Sequence, residues 1–213
     1  MKRLVIKVGT AVLTQDGQLA IERMENLVDL IAKLKNEKKL EVILVSSGAV
    51  GAGYTTLKLD KKIIANKQAL AAIGQPLLLK HYKKRFKEHN ISCAQMLFIA
   101  DDFDSRKRTK NAQDVMEILL ENKILPIINE NDVIANYELL FGDNDQLAAH
   151  VAFHFKADML AILSDIDGYY NKNPREFDDA VLQKFVNEIS ENELEMKHSA
   201  NSEFATGGIV TKL

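Results

Sequence analysis

The stretch that decides the fold is Glu41-Val42-Ile43-Leu44-Val45-Ser46-Ser47-Gly48-Ala49-Val50-Gly51-Ala52-Gly53. Val42 to Val45 are apolar without a break, and three of the four are β-branched. Such a run reads as a strand buried on both faces, and strands of that kind belong to parallel sheets covered by helices on either side. The glycine-bearing turn from Ser46 to Gly53 ends it and leads toward a helix. Working backward, Ile21, Met24, Leu27, Val28, Ile31 and Leu34 recur at helical spacing, which predicts a helix over Ile21 to Lys38. Leu4-Val5-Ile6 with Val8, closed by Gly9, predicts a first buried strand. Working forward, Lys61 to Glu88 reads as helical on both sides of a break at Gly74-Gln75-Pro76, because an internal proline removes a helix hydrogen bond. Strands follow at Ser92 to Ala100, Ile124 to Ile128 and Asp158 to Leu163, with helices over Ala112 to Asn122 and Asp145 to Lys156. Pro126 suits the start of its strand. Strands alternating with helices imply βαβ crossovers, hence an α/β protein: a three-layer αβα sandwich with a largely parallel central sheet. No internal repeat, low-complexity tract or linker divides the chain, so the reading is one domain.

Composition bounds the function. The chain has 213 residues, 46% of them apolar, and a formal net charge of −2. A chain this long buries roughly 70% of the surface its unfolded form exposes and folds without staples. The near-neutral balance predicts no nucleic-acid partner, since such proteins carry a basic excess. Cys93 is the single cysteine, which excludes an internal disulfide and a multi-cysteine zinc site. No stretch of 18 apolar residues and no signal-type N-terminus occurs, so the expectation is a cytoplasmic protein with no membrane partner.

In an open parallel sheet, ligands bind beyond the carboxyl ends of the strands. Four of the five predicted strands end in small or polar groups. The first leads into Lys7-Val8-Gly9-Thr10, the second into Ser46 to Gly53. The fourth leads into Asn129-Glu130-Asn131-Asp132 and, ten residues later, Gly142-Asp143-Asn144-Asp145. The fifth leads into Ser164-Asp165-Ile166-Asp167-Gly168. A lysine followed closely by a glycine puts a cation where backbone lets an anion approach, as phosphoryl transfer requires; read alone, Lys7 is more readily a surface strand-end lysine. Gly48, Gly51 and Gly53 could line an anion site or a simple tight turn, and they raise a dinucleotide fold as a rival. That rival lacks an acidic residue about 20 residues on. The two acidic-amide clusters are costly unless they meet cations. Their ordinary alternative is turn chemistry, with Asp145 as a helix N-cap. Thr206-Gly207-Gly208-Ile209-Val210-Thr211-Lys212 reads as glycines opening a helix with a lysine one turn in, without P-loop spacing. His150 and His154 stand four apart and read as ordinary helix residues; Ser105 to Lys110 reads as a solvated basic loop; Cys93 reads as core packing. No metal-ligand set emerges.

Val5-Ile6-Lys7-Val8-Gly9-Thr10, Val45-Ser46-Ser47-Gly48-Ala49, Gln95-Met96-Leu97, Pro126 to Asp132, Gly142 to Asp145 and Thr206 to Lys212 together resemble the glutamate 5-kinases of the amino-acid-kinase superfamily. The resemblance runs from Lys2 to the last residue. The Lys-x-Gly start and Thr-Gly-Gly end are shared across the superfamily, and the Asn-Glu-Asn-Asp and Gly-Asp-Asn-Asp pair points to the glutamate branch. It implies transfer of the γ-phosphate of ATP to the γ-carboxylate of L-glutamate, giving γ-glutamyl phosphate, the first step of proline biosynthesis. It implies Mg2+ with the ATP, a homo-oligomer (dimer or tetramer), and proline as feedback inhibitor. Carried over residue by residue, Lys7, Asp145 and Lys212 are catalytic, the two lysines on the transferring phosphate and Asp145 orienting both. Ser47, Asp132 and Asn144 line the glutamate site. Lys7, Ser164, Asp165, Thr206, Gly207, Gly208, Ile209, Val210, Thr211 and Lys212 hold ATP. Lys197 to Ala205 lacks the glycines of the family pattern, and Ser164 stands where threonine is common. The expectation is an amino-acid-kinase domain over 1–213, without its last C-terminal elements and without the RNA-modification-like domain of many bacterial members. The alternatives are an acetylglutamate, aspartate or uridylate kinase, a dinucleotide-dependent oxidoreductase, or a non-catalytic amino-acid sensor.

Overall fold

A computed structural model describes residues 2–15, 18–135, 144–172 and 174–187 of the chain. In chain order the elements are β1 (Arg3–Val8), α1 (Thr10–Leu13), β2 (Thr14–Gln15), β3 (Gln18–Leu19), α2 (Ile21–Asn36), β4 (Glu41–Ser46), α3 (Ala49–Tyr54) and α4 (Ile64–Glu88). They continue with β5 (Cys93–Phe98), α5 (Ala100–Asp104), α6 (Arg106–Glu121), β6 (Leu125–Glu130), α7 (Asn144–His154), β7 (Met159–Leu163), β8 (Tyr169–Tyr170) and β9 (Leu182–Gln183). All five predicted strands form and pair in parallel, in the order β5-β6-β4-β1-β7. β2–β3 and β8–β9 are short antiparallel ribbons.

Period-two alternation sends neighbouring strand residues to opposite layers. Ile6 and Val8 of β1 and Val42 and Leu44 of β4 join a core built with α2, α3 and α4. Val5, Ile43, Val45 and Ile128 join a second core with α5, α6 and α7. The sheet is thus buried on both faces, and the αβα sandwich read from the strand composition is the fold observed. Cys93 packs against the first core, and burial pushes its thiol up to about 12.

Two expectations change. The break at Gly74-Gln75-Pro76 does not occur: α4 runs through Pro76 as one helix. The reason is tertiary. A Cβ on Gly74 would lie 1.8 Å from the carbonyl oxygen of Ala49, and one on Gly53 would lie 1.9 Å from that of Leu70. α3 and α4 therefore pack backbone against backbone, and this contact holds the helix across the bond that proline removes. Second, Ser105 to Lys110 is not a loop. Ser105 caps α6 by accepting from the Arg108 N–H, and the basic residues form the helix's first turns, where Lys110 pairs with Asp114.

Gly74→Ala should cost about 2–3 kcal/mol, since backbone rather than a flexible side chain must move. Thermal denaturation should show a Tm lower by roughly 5–10 °C; an unchanged Tm would contradict the backbone packing of α3 on α4.

Candidate active site

Lys7 shares the parity of Val5, so its side chain leaves β1 toward α7. It is 2% exposed, and its Nζ lies 2.6 Å from Oδ1 of Asp145, itself 1% exposed. Asp145 sits in the first turn of α7, where the helix dipole favours an anion. The turn-chemistry reading of Asp145 gives way to an ion pair. Gly9 follows at the strand end, and a Cβ there would lie 3.2 Å from the Lys7 Nζ. Having none, glycine leaves room for the ammonium that a side chain there would crowd.

On the β4–β6 side, four polar side chains join in one buried chain. Asn144 Nδ2 donates to Ser47 Oγ at 3.0 Å and to Asn129 Oδ1 at 2.8 Å. Asn129 Nδ2 donates to Gln75 Oε1 at 2.8 Å. The backbone N–H of Ser47 donates to the Val8 carbonyl at 3.1 Å, binding the ends of β1 and β4. Two helix turns on along α4, Tyr82 and Ser46 share a hydroxyl hydrogen bond of 2.8 Å. Asp132 lies just beyond β6. Burial raises its carboxyl above the ordinary range, and Lys67 of α4 opposes part of that rise. The N–H of Asn131 donates to the Phe98 carbonyl, tying this segment to β5.

On the other flank, β7 runs beside β1 with Leu163 in register with Val8, so Ser164 and Asp165 emerge next to Gly9. Ser164 Oγ donates to Asp165 Oδ1 at 3.2 Å, and Arg175 donates to Asp165 Oδ2 at 2.5 Å. That guanidinium holds the Asp165 carboxyl below its usual range. Lys7 thus stands between two flanks, Ser47, Asn129 and Asn144 on one and Ser164 and Asp165 on the other.

The profile of the amino acid kinase family matches residues 2–213. The chain belongs to the amino acid kinase family. Within that family, it is 57% identical over its whole length to the glutamate 5-kinase of Wolinella succinogenes, covering 83% of that protein. It is 54% identical, again over its whole length, to the glutamate 5-kinase of Leishmania donovani, covering 80% of it. Among solved structures, the UMP kinase of Ureaplasma parvum superposes with a TM-score of 0.61 at 17% identity, over 99% of this chain and 83% of that one. An isopentenyl phosphate kinase superposes with a TM-score of 0.60 at 14% identity, over 91% of this chain and 84% of that one. These two structures carry the amino acid kinase fold.

Of the sites read from the sequence, Lys7, Ser47, Asn144 and Asp145 meet at the carboxyl ends of β1 and β4, and Ser164 and Asp165 flank them. Asp132 lies at the rim, facing Lys67. Thr206, Gly207, Gly208, Ile209, Val210, Thr211 and Lys212 lie outside the described residues, as do Gly142 and Asp143 and the Lys197 to Ala205 segment. Gly53, offered as part of an anion turn, instead faces the α4 backbone, which removes support from the dinucleotide alternative. Reading the sequence for sites missed Gln75 and left Asn129 without a role. The available signal was an amide between Gly74 and Pro76 on a helix otherwise turned to the core. His150 and His154 stack on each other and on Phe103 as helix residues. No described helix is long and apolar enough to cross a membrane.

The raised Asp132 pKa carries a sign. Ionisation of this half-buried carboxyl opposes folding, so its cost is absent below the unfolded pKa and complete above the folded one. Asp132→Asn should raise the Tm of the ligand-free protein at pH 7, with the gain vanishing near pH 3. A lower Tm at pH 7 would contradict desolvation as the dominant effect.

Proposed function

We propose that this chain is a glutamate 5-kinase, moving the γ-phosphate of ATP to the γ-carboxylate of L-glutamate as the first step of proline biosynthesis. The observation that carries the reading is the buried Lys7–Asp145 pair between a neutral amide cluster and the Ser164–Asp165 edge. Glutamate occupies the β4–β6 flank, on Ser47 and Asn144, with its ammonium directed to Asp132. ATP occupies the β7 flank, with Ser164, Asp165 and the Thr206 to Lys212 segment as its contacts.

The reaction sets one anion against another. A γ-carboxylate oxygen attacks the γ-phosphorus in line and forms the new O–P bond. The bond to the β,γ-bridging oxygen breaks, and ADP departs with that electron pair. No covalent protein intermediate is needed, so catalysis is positioning plus charge compensation. Lys7, held by Asp145 beside Gly9, compensates charge on the phosphoryl oxygens; Lys212 is the second cation assigned to them. Asp145 is thereby a positioning group for the lysines.

Mg2+ bound with ATP would add charge neutralisation on the phosphates. Among the described residues no three His, Cys, Asp or Glu side chains form a cluster able to hold a metal ion. On this reading the ion is carried mainly on the nucleotide phosphates, the usual habit of Mg2+ in kinases. We extend the reading to a cytoplasmic homo-oligomer, dimer or tetramer, inhibited by proline, with 1–213 as an amino-acid-kinase domain.

The test is coupled ADP release with ATP and glutamate, acetylglutamate, aspartate or UMP, alongside hydroxylamine trapping of acyl phosphate. Hydroxamate should form with glutamate. Turnover with another acceptor and none with glutamate would remove the proposal. In the same assay, Lys7→Met should lower kcat by about 10²-fold or more while shifting the KM for glutamate only a few fold. Equal losses in both would argue against a role confined to the transition state.

A further inference from the structure

Gln75 is an amide that the proposed reaction leaves without a task, although it is buried and reaches the site. Its Oε1 fixes the Nδ2 end of Asn129, so Asn129 Oδ1 faces the other way. There it accepts the backbone N–H of Glu130 at 2.9 Å as well as Asn144 Nδ2 at 2.8 Å. Asn144 donates its second N–H to Ser47 Oγ. A side-chain amide has two N–H groups, and both of Asn144's are committed. What Asn144 has left to offer a ligand is the acceptor Oδ1. Ser47 Oγ, already accepting, has its hydroxyl proton left to donate.

We infer that Gln75 is a positioning residue that sets the hydrogen-bond polarity of the substrate flank, leaving Asn144 an acceptor for an ammonium and Ser47 a donor for a carboxylate. The chain of command runs from Gln75 Oε1 through Asn129 to Asn144 and Ser47. Without an acceptor at position 75, the Asn129 amide loses the contact that orients it. Rotated by half a turn, it would aim Nδ2 at the Glu130 N–H and at Asn144 Nδ2, donor against donor. Asn144 would then have to turn as well and present N–H to the ammonium. The backbone supports this geometry. Gly74, the preceding residue, brings α4 against α3 closely enough for Gln75 to reach β6. The inference rests on the proposed placement of glutamate on Ser47 and Asn144.

The experiment compares kcat/KM for glutamate with that for glutarate, the same diacid without the ammonium. Wild-type protein should prefer glutamate strongly. Gln75→Met, which keeps length and removes the acceptor, should shrink that preference on the order of tenfold, with the KM for ATP unchanged within about twofold. Gln75→Glu, which keeps acceptor oxygens at the same reach, should retain most of the preference. If Gln75→Met does not fold, Gln75→Asn, one methylene too short to reach Asn129, takes its place in the comparison. A Met or Asn variant as selective as wild type, or a Glu variant that loses as much as the Met variant, would overturn the inference while glutamate 5-kinase activity stood. Wild-type protein inactive with both acids would instead remove the underlying reading, and the inference with it.

Discussion

Two unit charges of opposite sign lie 2.6 Å apart inside this protein, Lys7 on the inner strand β1 and Asp145 in the first turn of α7. Taking ions out of water costs several kcal/mol each, and an apolar pair of similar volume commonly stabilises a fold as well or better. The pair therefore makes little sense as a device for stability. It makes sense as a way to hold a cation desolvated and aimed beside Gly9, where its interaction with an arriving anion is weakened least by solvent. Three structural features make that possible. β1 is paired on both sides, by β4 and β7, and Gly9 follows its last residue. α7 starts where its dipole supports the Asp145 carboxylate. Val5, one position before in parity, buries the base of the same face in the core with α7.

Around this fixed cation the two flanks differ in chemistry. The β4–β6 flank is made mostly of amides and a hydroxyl, Gln75, Asn129, Asn144 and Ser47, which carry direction without net charge. Neutral groups there avoid adding a second buried anion near Asp145. They also bind a zwitterionic acid through oriented dipoles, which leaves Asp132 at the rim as the charged acceptor. The β7 flank is more exposed and ionic. Asp165 is kept ionised by Arg175, so a charge close to the proposed nucleotide edge is already balanced before a ligand arrives.

The sheet was legible because its signal is dense. Continuous apolar runs such as Val42 to Val45 have few other ways to fold, and every one of the five became a parallel strand. The site was legible where polar residues interrupt such runs at their ends: Lys7, Ser47, Asn144 and Ser164 all stand just past apolar strands or in the turn facing them. What was not legible depends on packing between distant elements. Pro76 carries a strong local signal for a helix break, and the approach of Gly74 to Ala49, 25 residues earlier in the chain, overrides it. The first turns of α6 were hidden because charged residues without an apolar stripe resemble a loop until Ser105 is seen as their cap. Gln75 was hidden for a related reason. Its function depends on Asn129, 54 residues away, and no local spacing encodes that partner.

The same close contact that hides these features from the sequence also joins stability to chemistry. Gly53 and Gly74 let α3 and α4 meet at backbone distance, and α3 begins two residues after Ser47 while Gln75 directly follows Gly74. Two residues of the polar chain are therefore anchored at the two sides of one helix–helix contact. Tyr82, two turns further along α4, adds a second tie to the end of β4 through Ser46. A shift of α4 by even a fraction of an ångström would lengthen the Gln75–Asn129 and Tyr82–Ser46 hydrogen bonds together, because a close-packed interior transmits displacement instead of absorbing it. The glycines at this crossing are thus constrained twice, by the space between the helices and by the hydrogen-bond geometry that this space sets at the site.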